Sequence, residues 1–364
     1  MSYNPAPYLR WAKVRPRVTH DLASSGLLPV TTAELLGDAR ARDAFEITGP
    51  SDEGFLPLRE AIGARYCLTA DHITIAPGAA GANFQSFLAL LQRDDDVLIE
   101  RPGYDPLIAA VQALGANVVT FDRSWNKGFA LDPYAIRTAL TPATKLIVIS
   151  NAHNPSGAMA GRSVLEQIGV MADAIGALVL VDEVYAEAQH DDSPMPMPAA
   201  TLGEMFVSTN SLTKAYGLAG LRCGWIVASP GISERIRITR DVIDGSGPFI
   251  AESLSAIAVR DIDRLRLRAR RLLAENFAVL KEMASSHPRL EWLEPVAGTT
   301  AFPKVKGVDD TTAFVDTLVR DYDTIVVPGH FFQAPAHIRI AFGGDPVKFR
   351  ASLAQLDRAL REMK

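Results

Sequence analysis

From residue 72 to about 227, short apolar runs alternate with stretches of helical spacing. The runs at 73–76, 97–100, 117–120, 145–150, 177–181 and 205–208 are rich in β-branched residues and mostly uninterrupted by charge. A strand with one wet face would alternate, so these runs predict strands covered on both faces: a mainly parallel sheet between helical layers. Pro-Gly-Ala-Ala-Gly at 77–81 turns the first run into a helix over 83–91, and an amphipathic helix is expected at 58–66 after a turn at 47–54. A long helical pattern covers 251–283, with the arginines between 264 and 271 read as its solvated face. Runs at 290–293, 299–302, 324–329 and 338–342 then alternate with helices as a smaller unit. The expected fold is α/β: a three-layer large domain over 40–255, and a smaller α/β domain formed by 256–364 with an N-terminal arm and segment, 1–39.

Charge narrows the partners. Against 37 lysines and arginines stand 42 acidic residues, a net charge of −5, which excludes nucleic-acid binding through bulk charge. The basic and aromatic stretch at 8–18 reads instead as an arm lying on a partner subunit. No run approaches the roughly 20 apolar residues of a membrane helix, and the opening Met-Ser-Tyr-Asn-Pro lacks the apolar stretch of a secretion signal, so a cytoplasmic protein is expected. Two cysteines, Cys67 and Cys223, and seven histidines show no ligand spacing. No metal is expected, and the histidines are assigned to turns or the core.

One lysine stands apart. Lys214 follows a strand run and sits among small, hydroxylated and glycine residues, with Arg222 downstream. An ordinary lysine, with pKa about 10.4, is protonated and unreactive at neutral pH; desolvation and a neighbouring cation favour its neutral, nucleophilic form. Asn-Ala-His-Asn-Pro-Ser-Gly at 151–157, Val-Asp-Glu-Val-Tyr at 181–185, Ser-Leu-Thr-Lys at 211–214 and His-Ile-Arg-Ile-Ala-Phe at 337–342 accompany it. Jointly and in this order they resemble class I/II aminotransferases, the pyridoxal-phosphate fold type I group of the aspartate aminotransferase superfamily. The resemblance runs from about Asp21 to the Ala-Phe-Gly at 341–343.

That resemblance implies a cofactor, pyridoxal 5'-phosphate, and a role for each matching residue. Lys214 is expected to hold it as an internal aldimine and to shuttle the proton at Cα. Asp182 matches the carboxylate beside the ring nitrogen, Asn154 and Tyr185 the hydrogen-bond partners of the ring's phenolic oxygen, and Tyr104 an aromatic residue stacked on the ring. Ser211, Arg222 and the backbone amides of Ala79 and Ala80 match the phosphate ligands. Arg339 matches the residue gripping the substrate α-carboxylate; Gly26 is either a backbone donor to that carboxylate or an ordinary turn glycine. Where relatives place a cross-subunit tyrosine on the phosphate, this chain has Ile47 and Thr48. Arg240 reads as exposed on a helix rather than as a reader of dicarboxylates. The implied activity is transfer of an amino group between an amino acid and a 2-keto acid in a homodimer. A lyase or cyclase using the same cofactor is the alternative, because the Ala-Ser-Ser-Gly at 23–26 resembles that region of cofactor-dependent cyclases acting on modified arginine.

Overall fold

The computed structural model describes residues 5–37 and 48–363. Its centre is a seven-stranded sheet built from β2 (Ile73–Pro77), β3 (Asp96–Arg101), β4 (Asn117–Asp122), β5 (Thr144–Ser150), β6 (Leu178–Asp182), β7 (Phe206–Ser211) and β8 (Cys223–Val227), with β1 (His20–Asp21) lying outside it. The strand order is β2-β8-β7-β6-β5-β3-β4. The pairs β3/β4, β3/β5, β5/β6 and β6/β7 are parallel. β8 runs antiparallel to both β7 and β2, because the connection from β7 is a loop too short for a crossover. Strand residues such as Val97, Leu146, Val148, Leu180 and Val207 are fully buried, as expected for a sheet with helices on both faces. Two clusters lie on its opposite sides, one around Phe87, Val148 and Ile226, the other around Ile147, Ile168 and Phe206.

The C-terminal part contributes small sheets, one of them the antiparallel pair β9 (Leu290–Glu291) and β11 (Lys304–Val305). β10 (Thr300–Ala301), β14 (Ile338–Ala341) and β13 (Val327–Pro328) form another, in that order. β12 (Thr324–Ile325) pairs in parallel with β1 and draws the N-terminal segment onto this part of the fold.

Four expectations need correction. The pattern at 251–283 is two helices, Phe249–Arg260 and Ile262–Ser286, broken at Asp261. The arginines there are not all solvated: Arg268 donates to the carbonyls of Leu28 and Pro29 and pairs with Glu34 at 3.2 Å, clamping the N-terminal segment. The stretch read as an arm on a partner forms helix Pro7–Val14, which packs on its own chain, with Tyr8 buried and its amide donating to Asp105 Oδ2 at 2.8 Å. Arg240 is 2% exposed rather than on an open surface. The turn before Phe249 brings Glu252 to 3.3 Å from it, with Asp244 at 3.4 Å, and a guanidinium is buried only with such partners. Ile47 and the expected boundary at 39/40 lie outside the described residues; Thr48 is exposed.

Candidate active site

The cavity opens where the parallel strands end at their carboxyl edges, the usual place for a ligand in an open α/β sheet. Asp182 closes β6, Ser211 closes β7, and Asn154 follows the end of β5 at Ser150. Across the sheet, Ser211 is in register with Gly224 and Pro77 with Cys223. This places the loop bearing Lys214 and Arg222 beside the start of helix Gly78–Leu90. Gly78 has φ +80°, and a Cβ on it would overlap the Arg222 guanidinium; one on Gly224 would overlap the Gly78 backbone. Two bare glycines therefore let a guanidinium and a helix N-terminus meet. That helix carries no side-chain cap, so its first amides are free donors for an anion.

The open cavity holds about 490 Å³ and is lined by Ala79, Ala80, Tyr104, Asn154, Asp182, Tyr185, Ser211, Lys214, Arg222, Arg339 and Gly26. Every site residue expected from the sequence thus faces one cavity. Lys214 Nζ donates to Ser25 Oγ at 2.9 Å and lies 5.9 Å from the centre of the Tyr185 ring. Burial pulls its pKa down to about 8; Arg339 and then Arg222 add to the fall, while Tyr8 and Asp182 oppose it. Desolvation, rather than the single cation at 222, leads. Asp182 accepts from Asn83 Nδ2 at 2.8 Å and from the Val184 amide at 3.1 Å, and burial raises its pKa. Gly26 lies at the cavity wall, and a Cβ there would meet nothing within 4 Å.

Several residues at the site were not singled out from the sequence. Asn83 orients Asp182 and is itself fixed by Thr209 Oγ1 at 2.6 Å; the available signal was a polar residue on the inner face of an apolar helix. Ser150 Oγ accepts from the Asn154 amide at 3.1 Å. Its own amide donates to Glu100 at 2.7 Å, and Glu100 pairs with Arg123 at 2.7 Å, both fully buried. Tyr8 lines the same cavity and its hydroxyl accepts from Arg339 Nη2. Arg339 is 1% exposed. Its partners among the described residues are all neutral: Asn154 Oδ1 at 3.2 Å, the Tyr8 hydroxyl and the Ala23 carbonyl.

The family model for aminotransferase class I and II matches residues 23–356. The chain belongs to that family. It is 31% identical to a capreomycidine synthase of Streptomyces vinaceus over 98% of this chain and 93% of the relative. A solved PLP-dependent aminotransferase of Streptococcus suis 89-1591 superposes with TM-score 0.93 at 25% identity, covering 100% of this chain and 99% of the other. A solved PLP-dependent cyclase, OrfR, gives TM-score 0.89 at 29% identity, with 100% and 99% covered. Pyridoxal 5'-phosphate is accordingly the cofactor of this chain. The residues present fit that group. Uncapped amides and Arg222 meet at one point of the cavity, a buried carboxylate stands at another, and the lysine lies on the same wall. No helix among the described residues is long and apolar enough to cross a membrane.

Proposed function

We propose that this chain moves an amino group between a small amino acid and a 2-keto acid, with Lys214 as the group that carries the proton. The observation that supports this reading is one cavity holding the Lys214 amine, the Asp182 carboxylate and a buried Arg339 with neutral partners only. When bound, pyridoxal phosphate supplies an electron sink for the pair left on the substrate Cα. The Ala79 and Ala80 amides, Ser211 and Arg222 would hold its phosphate. Asp182, oriented by Asn83, would keep the ring nitrogen protonated, and the ring's positive charge would in turn be the partner that a buried carboxylate needs. Asn154 and Tyr185 would hydrogen-bond the ring oxygen, with Tyr104 against the ring face. Arg339 and the Gly26 amide would take the α-carboxylate, holding the Cα proton within reach of Lys214. With a pKa of about 8, Lys214 has a usable neutral fraction near neutral pH, so it can accept that proton and return it.

Two units would divide this work: 40–255 holding the cofactor, and 256–364 with 1–39 closing on the substrate. The working form is proposed to be a cytoplasmic homodimer. The test is a screen of amino acids against the cofactor-loaded protein, following conversion of the cofactor to its amine form and release of a keto acid. Lys214→Ala should slow that conversion by roughly 10²–10⁴-fold or more; an undiminished rate overturns the reading. The second reading, a cyclase or lyase, is favoured by the capreomycidine synthase and OrfR matches. It predicts a cyclised or deaminated product with the cofactor returned unchanged.

A further inference from the structure

Helix Pro7–Val14 lies outside the stretch matched by the family model, 23–356, yet it forms part of the cavity wall through Tyr8, Leu9 and Ala12. Tyr8 is held from several directions. Its amide donates to Asp105 Oδ2, its ring lies 5.8 Å from that of Tyr104 and 5.5 Å from that of Phe332, and the Arg339 guanidinium sits 4.9 Å from its ring centre. The far end of the helix is tied as well: Arg15 pairs with Asp21 at 2.7 Å and donates to Ser24 Oγ at 2.8 Å. Trp11 packs 5.2 Å from Phe331. The helix is therefore moored at both ends beside the cavity.

The hydroxyl of Tyr8 accepts from Arg339 Nη2, so its own proton points to no acceptor among the described residues. Arg339 Nε, buried in the same place, has no partner either. A carboxylate has two oxygens and several lone pairs, enough for a guanidinium and a phenol together, and each bond to it is charge-assisted. We propose that Tyr8 is a substrate-binding residue: its hydroxyl donates to the carboxylate that Arg339 receives, and the same helix presents Leu9 and Ala12 to the substrate side chain. The proposal rests on the reading of Arg339 as the α-carboxylate site. It makes helix Pro7–Val14 the element that reads the substrate, in a part of the chain where the family pattern does not reach.

Tyr8→Phe removes one oxygen and keeps the ring packing. In the cofactor-loaded full chain it should raise KM for the amino donor found by the screen about tenfold, the order expected for one hydrogen bond to a charged group, while kcat stays within about twofold. A second readout needs no turnover: propionate, an unreactive carboxylate, should alter Trp11 emission, identified as the component absent in Trp11→Phe. Propionamide should not. Half-saturation by propionate should rise about tenfold in Tyr8→Phe. Equal KM and equal propionate affinity in Tyr8→Phe and the wild type overturn the proposal, as does a wild-type chain whose Trp11 ignores propionate. Arg339→Gln separates the two readings. If it loses the propionate response while Tyr8→Phe keeps it, Tyr8 alone is dismissed; if neither variant weakens binding, the Arg339 assignment falls too. Ala12→Leu should shift donor preference toward smaller side chains, and an unchanged profile overturns the helix's part in side-chain reading.

Discussion

At the residue scale the chemistry turns on what burial does to Lys214. In the cofactor-free protein its pKa lies at about 8 against an ordinary 10.5. Between those values the unfolded chain binds more protons than the folded one, so stability contributed by this residue rises with pH across about 8 to 10.5. Below 8 both states carry the proton and the full cost of a buried ammonium remains. Lys214→Met should therefore be more stable than the cofactor-free wild type at pH 7, with the gap closing as pH approaches 10. Urea midpoints at a series of pH values measure it, and a constant gap would contradict the burial account. Gly78 acts by lacking atoms. Gly78→Ala forces a side chain into a left-handed φ and against the Arg222 guanidinium, a strain of about 1–2 kcal/mol before any displacement. Cofactor affinity, titrated by absorbance, should fall at least about tenfold.

At the scale of elements, the buried pair Arg240 and Glu252 ties helix Phe249–Arg260 to the short helix Arg240–Ile243. Glu252 also accepts from Ser51 Oγ at 2.8 Å and the Phe55 amide at 2.6 Å. Arg240→Ala leaves this carboxylate without its cation and should cost about 3–5 kcal/mol in urea unfolding; a loss under 1 kcal/mol would show the pair to be dispensable. That pair was not legible in the sequence, because nothing in Arg-Ile-Arg-Ile-Thr-Arg at 235–240 reveals that a later turn returns an acid to one of three arginines. β2 to β7 were legible, since strands lying between helical layers leave continuous apolar runs, whereas β1, a His-Asp pair, leaves none. β8 was not: Cys-Gly-Trp-Ile-Val follows a glycine-rich loop, and pattern alone does not tell that it inserts antiparallel between β2 and β7. Lys214, Asp182, Asn154 and Arg222 were found because local motifs carry them. Tyr8 and Asn83 were missed because their partners, Arg339 and Asp182, lie far along the chain.

At the scale of the molecule, the exposed Ile238, Val242 and Ile250 lie close along the chain around the Arg240 pair. They are the place to test for association between copies of the chain. The proposed dimer predicts sedimentation at twice the chain mass. Val242→Glu should move that equilibrium toward single chains, and unaltered sedimentation would place the contact elsewhere.

The loop from β7 to β8 carries both Lys214 and Arg222, and its base is closed by the Leu212 amide on the Cys223 carbonyl at 3.1 Å. The reactive amine and the anion-facing guanidinium thus share one short, tethered segment. Inserting or deleting a residue between 215 and 221 would misplace one relative to the other, however well the sheet survives. A library of length variants should therefore yield folded but inert proteins at this loop, and active ones at the exposed turn around 191–193.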